Sequence, residues 1–143
     1  MSSAPRLISS VSEMEELGLL IGSKLSAGDV LLLNGELGAG KTALTRGIGR
    51  ALEIDGVTSP TFVISKIYPG PIPLVHVDAY RLMGQELAVF DDLDLEVRIP
   101  QSITVIEWGR GFVERLRDFY IEIDIEFGQE SDERIVTVQG VDL

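Results

Sequence analysis

The sequence contains no cysteine, so neither a disulfide nor a thiolate metal centre holds the fold together. No apolar run reaches the length of a membrane span. Residues Met1-Ser2-Ser3-Ala4-Pro5 carry neither the basic nor the apolar part of a secretion signal. These absences predict a soluble cytoplasmic protein that does not engage a membrane. Basic residues are scarce: 12 Lys and Arg stand against 23 Asp and Glu, a formal charge of −11. A surface of that sign repels phosphate backbones, which argues against direct, tight gripping of nucleic acid by this chain alone. A basic partner surface is expected, with solubility alone as the alternative reason for the charge. His76 is the only histidine, and alone it reads as a hydrogen-bonded structural residue rather than a catalyst. Internal repeats and low-complexity stretches are also missing. With 143 residues, 45% of them apolar, the chain is long enough to bury a real core, and residues 1–143 are expected to form one domain.

What is present centres on Gly35-Glu36-Leu37-Gly38-Ala39-Gly40-Lys41-Thr42. This is G-x-x-x-x-G-K-[ST], the phosphate loop of nucleotide hydrolases and kinases. A triphosphate needs several backbone N–H groups aimed at one spot, and only a chain that turns tightly without Cβ atoms in the way can present them. Gly35, Gly38 and Gly40 supply that freedom. Lys41 places a point charge on the β- and γ-phosphates, and the Thr42 hydroxyl is placed to ligate Mg²⁺. The flanks agree. Val30-Leu31-Leu32-Leu33 reads as a strand buried on both faces. Leu44, Ile48, Ala51 and Leu52 recur at helical spacing, so a helix N-terminus points at the phosphates.

The rest of the chain reads as alternating elements. Arg6 to Ser9 is a weak first strand. Ser12 and Glu15 form a capping box, and the helix behind them is expected to bury Met14, Leu17, Leu20, Ile21 and Leu25 and to end at Ala27-Gly28-Asp29. Asp55-Gly56 is a turn. Pro60 holds Ser59 extended, so residues Val57 to Phe62 are not helical. Their hydroxyls, Thr58, Ser59 and Thr61, either sense the γ-phosphate or belong to a polar loop leading into a strand from Thr61 to Tyr68. Pro69 to Pro73 is a stiff loop. Two further strands, Leu74 to Asp78 and Ile103 to Glu107, each end in a carboxylate, as a Walker B strand does. Asp78 and Glu107 are both candidates for the Mg²⁺ shell or for orienting water, and the sequence does not rank them. Glu86 to Phe90 reads as a short helix. The acidic run Asp91, Asp92, Asp94 and Glu96 reads as a solvated face, with docking of a basic partner as the lesser alternative. Trp108 belongs to the core, walls the nucleotide site or anchors a partner. Arg110, in a stretch leading into a helix with Phe112, Val113 and Leu116, is near enough in sequence to reach the site, and a helix-start arginine in solvent is an equal alternative. Phe119, Ile121, Ile123, Ile125 and Phe127 alternate with polar residues, Gly128 to Asp132 turns, and Ile135 to Val141 returns. The expected fold is therefore an α/β, P-loop NTPase-like mixed sheet flanked by helices, with a C-terminal antiparallel hairpin. A base-binding wall is not identifiable, and the junction near Ser12 and the hairpin near Arg134 are the places to look.

Four stretches together, Gly35 to Thr42, Ser59-Pro60-Thr61-Phe62, His76-x-Asp78-x-Tyr80-Arg81-Leu82 and Ile106-Glu107-Trp108, resemble the TsaE family in order and spacing. The resemblance runs from the first strand to the hairpin. It implies a small bacterial ATPase for threonylcarbamoyladenosine synthesis on tRNA, with ATP and Mg²⁺ bound and slow hydrolysis by the chain alone. It implies two partners, a threonylcarbamoyl transferase subunit and its inactive paralogue, which hold the tRNA, so that tRNA is met only through them. By motif it makes Thr42 and Glu107 the Mg²⁺ ligands, Lys41 the phosphate holder, Asp78 a residue needed for hydrolysis and Ser59 to Thr61 a switch-like loop. Glu36 stands where the family often has aspartate, and the acidic run after Phe90 has no family pattern to match. No Asn-Lys-x-Asp stretch is present, which disfavours a GTPase. Two other readings stay open: a P-loop small-molecule kinase, for which Arg81, Arg98, Arg110, Arg115 and Arg117 are available but no lid insertion is seen, and a nucleotide-gated binding module.

Overall fold

The computed structural model describes residues 4–36, 38–59, 65–78, 95–108 and 118–143. Strand β1 (Arg6–Ile8) leads into helix α1 (Val11–Gly22), strand β2 (Val30–Asn34) and helix α2 (Lys41–Ala51). Strands β3 (Ser65–Tyr68) and β4 (Leu74–Asp78) follow. A short helix (Leu95–Arg98) and a 3-10 turn (Ile99–Gln101) precede β5 (Ile103–Glu107), and β6 (Ile121–Phe127) and β7 (Arg134–Gln139) close the chain. The expected helices at Glu86 to Phe90 and after Gly111, the stretch from Pro60 to Phe62 and the run Asp91 to Asp94 lie outside the described residues.

Among the described residues, seven strands form one mixed sheet in the order β1-β7-β6-β2-β5-β4-β3. Its centre, β6-β2-β5-β4, is parallel, and β1, β7 and β3 join antiparallel. The apolar run of β2 explains its central place: a strand with no polar side before Asn34 must be covered on both faces. Side chains alternate across it. Leu31 and Leu33 join Ile103, Val105, Ile121, Ile123 and Leu74 in the core with α1 and α2, and Val30 and Leu32 are buried on the opposite face. Among the described residues no helix is long and apolar enough to cross a membrane.

The helix boundaries correct the sequence expectation. The capping residue of α1 is Ser10, not Ser12: its backbone is extended (φ −156°, ψ 163°) and its side chain accepts from Glu13 N–H at 3.1 Å. Glu13 reaches back to the Ser9 N–H at 3.4 Å. Two Ser-x-x-Glu patterns overlap here, and the one that directly follows β1 wins because only there can the cap residue stay extended. Glu15 is thereby freed to pair with Arg46 (2.7 Å) and Arg50 (3.5 Å) on α2. Ser10→Ala is expected to cost about 1 kcal/mol, while Ser12→Ala costs almost nothing. Urea unfolding of the two variants checks this, and equal losses would restore the Ser12 assignment.

Helix α1 also ends at Gly22, earlier than Ala27, because Ser23 turns its hydroxyl onto the Leu20 carbonyl and Ser26 to Asp29 closes a separate turn. Leu20 is 37% exposed rather than buried, and its expected place is taken by Gly18 and Gly22. These glycines let the helices touch backbone to backbone. A Cβ on Gly18 would lie 2.1 Å from the Leu44 carbonyl oxygen, one on Gly22 2.6 Å from the Ala51 Cβ, and one on Gly47 2.0 Å from the Glu15 carbonyl oxygen. In the hairpin, Ile121, Ile123 and Ile125 are buried as expected, but Phe119 and Phe127 are largely exposed. Phe119 precedes the paired strand, and Phe127 ends it, stacked under the Arg134 guanidinium at 4.6 Å.

Candidate functional site

The carboxyl end of β2 feeds directly into the glycine loop, and α2 starts at Lys41. Gly38 (φ +84°) and Gly40 (φ +109°) adopt the left-handed conformation that the turn demands. Gly40 caps α2 with no side-chain hydrogen bond, so the cap residue leaves the helix's first N–H groups available. Those groups and the positive end of the dipole form an anion cradle. Within the loop, Ala39 N–H closes onto the Glu36 carbonyl at 3.0 Å. Glu36 and Gly38 are exposed, Ala39 is buried and Thr42 is half-buried in the first turn of α2. Leu37 and Arg110, both expected at the site, lie outside the described residues.

Lys41 is the hub. Its buried ammonium donates to the Gly35 carbonyl at 2.7 Å, lies 3.7 Å from Glu107 Oε1 and sits 4.1 Å from the centre of the Trp108 ring. Burial pulls the lysine pKa below its ordinary value of 10.5, against the opposing charges of Glu107 and Asp78. The two acids that the sequence left unranked are direct neighbours: β4 and β5 run parallel with Asp78 opposite Glu107. Glu107 is the more buried, and its Oε2 is hydrogen-bonded to Nε2 of His76, which is fully buried. The pairing joins residues 31 positions apart, which no local signal in the sequence reveals.

Trp108 is not a core residue. It is 37% exposed, and its left-handed backbone (φ +62°) ends β5 and folds the indole over Lys41. A bulky side chain in that conformation is uncommon and costs of order 1–2 kcal/mol. Thr58, one of the three candidate phosphate-sensing hydroxyls, is engaged by the Lys66 ammonium at 2.6 Å and lies beside the Tyr68 hydroxyl; Thr61 lies outside the described residues.

Arg134 is the residue whose importance the sequence understated. From the start of β7 it donates through Nε to the Ala39 carbonyl (3.1 Å) and through Nη2 to the Gly38 carbonyl (3.3 Å). Nη1 holds the carbonyls of Ser131 and Glu133 in its own hairpin turn, each at 2.8 Å. The loop carbonyls are thus drawn to one side. Beside them lies a cavity of about 330 Å³ lined by Ser9, Ser10, Val11 and Met14 from the α1 start, by Gly38 to Gly40 and Ala43, and by Asp132 and Arg134. It joins the two regions named from the sequence as places for a base. A second cavity, of about 340 Å³, flanks Gly35 and Glu36 on the other side, between Trp108 and Phe127, with Asp124 and Glu126 on its wall.

Among the described residues no three His, Asp or Glu side chains gather into a metal cage. A hydroxyl, one or two carboxylates and a loop shaped for phosphate are a different donor set, the one that Mg²⁺ uses when phosphate oxygens and waters complete its octahedron. Thr42, Glu107 and Asp78 fit that set.

Comparison with known proteins gives concordant results. The profile of the family described as "Threonylcarbamoyl adenosine biosynthesis protein TsaE" matches residues 8–136. The chain is 52% identical over 136 residues to the tRNA threonylcarbamoyladenosine biosynthesis protein TsaE of Streptomyces coelicolor, covering 90% of each chain. It is 41% identical to the protein of that name from Mycobacterium bovis, over 89% of this chain and 81% of the relative. The crystal structure of YdiB from Bacillus subtilis superimposes with a TM-score of 0.77 at 31% identity, covering 99% of this chain and 88% of that one.

Proposed function

The chain belongs to the TsaE family of threonylcarbamoyl adenosine biosynthesis proteins, and from that premise we propose that it is an Mg²⁺-dependent ATPase serving threonylcarbamoyladenosine modification of tRNA in the cytoplasm. The observation that carries the proposal is the position of Lys41, between the glycine loop, the Glu107 carboxylate and the Trp108 ring, at the uncapped start of α2. That grouping provides a charge and N–H donors for a triphosphate together with acids for its metal.

The residues divide the work. Gly38, Ala39, Gly40 and the first turn of α2 hold the phosphates, with Lys41 leaving the Gly35 carbonyl to pair with them. Thr42 and Glu107 hold Mg²⁺, which supplies charge neutralisation on the β- and γ-phosphates. Asp78, opposite Glu107, orients the attacking water. The cavity between Ser10 and Arg134 takes the base, because it opens beside the phosphate loop and is the less acidic of the two cavities. The charge of −11 leaves the tRNA to partners, a threonylcarbamoyl transferase subunit and its inactive paralogue, whose presence accelerates a slow basal hydrolysis.

The test is ATP turnover with and without Mg²⁺ and with and without the two partners. Chelation of the metal is expected to abolish hydrolysis, and the partners to stimulate it. Phosphate transfer to a small acceptor in place of hydrolysis would make the chain a kinase instead. Asp78→Ala and Glu107→Ala are each expected to slow hydrolysis by at least about tenfold, because each removes a group that positions metal or water. Normal turnover in either variant would leave that acid a strand-end residue only.

A further inference from the structure

His76 sits in the middle of β4 among Leu74, Val75 and Val77, with no exposed surface. Its neighbours along the strand are apolar and buried, and its cross-strand partners are Val105 on β5 and Lys66 on β3. Its Nδ1 has no hydrogen-bond partner among the described residues, and a buried nitrogen left in that way is unfavourable to the fold. Its other nitrogen has a specific role. The Glu107 carboxylate only accepts, so Nε2–H of His76 donates to Oε2.

Geometry divides that carboxylate in two. Oε2 is held by His76, and Oε1 faces Lys41 at 3.7 Å, an ion-pair separation, while the ammonium makes its shorter contact with Gly35 at 2.7 Å. A glutamate has three rotatable bonds, and an untethered Glu107 would close onto the lysine in a direct charge-assisted hydrogen bond. Such a pair would compete with phosphate for Lys41 and with the metal for Glu107. We propose that His76 is a positioning residue: it pins one oxygen of Glu107 so that the other stays aimed into the phosphate site as a single metal-facing ligand. The role rests on the reading of Glu107 as an Mg²⁺ ligand given above. Hydrogen-bonded supports of this kind behind a metal ligand commonly change metal affinity by about 10–100-fold.

Trp108, the only tryptophan in the chain, stacks on Lys41 and gives a fluorescence readout that needs no turnover. The full chain is titrated with a non-hydrolysable ATP analogue in EDTA, and the analogue complex is then titrated with Mg²⁺. His76→Leu is expected to raise the half-saturating Mg²⁺ concentration at least about tenfold and to weaken analogue binding in EDTA by a smaller factor, because the released carboxylate also competes for Lys41. His76→Gln, whose amide reaches the Nε2 position, is expected to recover to within about threefold, whereas His76→Asn, whose amide stops at the Nδ1 position, is expected to resemble the leucine variant. An unchanged Mg²⁺ requirement in His76→Leu overturns the proposal, as does a glutamine variant no better than leucine. If the leucine variant does not fold, equal behaviour of glutamine and asparagine overturns it. In a Glu107→Gln background, His76→Leu is expected to add nothing further, and an additive loss also overturns it. If Glu107→Gln alone keeps the wild-type Mg²⁺ requirement, the metal-ligand reading itself has failed, an outcome distinct from failure of the His76 role.

Discussion

Lys41→Ala is expected to weaken ATP binding at least about a hundredfold, with the fold retained. Among the described residues, Lys41 is the one cation between the loop carbonyl of Gly35 and the acids at the ends of β4 and β5. On the proposed function, removing it deletes the charge that would meet the phosphates and leaves Glu107 facing them without a counter-charge. Truncating one partner of a buried charge contact across a binding interface costs about 2–5 kcal/mol, and about 3 kcal/mol is a factor of about one hundred in affinity. The unliganded protein should tolerate the change, because the burial that lowers the lysine pKa already makes its charge expensive in the folded state. Calorimetric titration with ATP and Mg²⁺, beside a melting curve of the unliganded variant, checks both halves. Wild-type affinity in a folded Lys41→Ala protein would remove the glycine loop from the nucleotide site.

Gly47→Ala gives the second large effect, and its sign separates two arguments. Helix propensity alone says that replacing a mid-helix glycine by alanine stabilises by about 1 kcal/mol. The structure predicts the reverse. The new methyl would lie 2.0 Å from the Glu15 carbonyl oxygen and 2.9 Å from the Leu19 nitrogen, both backbone atoms that cannot swing aside. The helices would have to separate by roughly an ångström, loosening van der Waals contact along the whole pair. A loss of at least about 3 kcal/mol is expected, or about 10 °C in melting temperature for a chain of this size. Nucleotide binding falls as well, since α2 carries the phosphate loop at its start. Gly56 is the control: it has φ +81° and open space around its Cβ position, so Gly56→Ala costs only the backbone strain, about 1 kcal/mol. A Gly47→Ala protein as stable as wild type would show that the helices do not approach as described.

The part of the molecule that the sequence discloses is the part where local pattern and chemistry coincide. From Val30 to Leu52, an apolar run, a glycine loop and a helical period adjoin, and each constrains the same residues. The strands ending in Asp78 and Glu107 were legible for a similar reason, since β-alternation with a terminal acid is a local signal. Whatever depends on a distant neighbour was not. Ser12 and Ser10 offer equal caps to a local reading, and the end of β1 decides between them. Leu20 fits the apolar stripe of α1, yet the closeness of α2 selects Gly18 and Gly22 instead; the spacing Gly18-x-x-x-Gly22 was the signal available for that. Phe127 continues the alternation of β6 but lies beyond its cover. His76 meets Glu107, and Arg134 meets Gly38 and Ala39, only once the sheet order is known.

The reach of Arg134 has a consequence for how the protein is made. The bond from its guanidinium to Ala39 spans 95 positions, and β2 lacks its β6 neighbour until Ile121 to Asp124 are available to pair. A ribosome therefore releases the glycine loop long before β6 and Arg134 can brace it. If the proposed function holds, ATP capture is expected only with the last hairpin, so that a nascent chain halted after β5 carries the whole signature and yet leaves nucleotide in the surrounding solution.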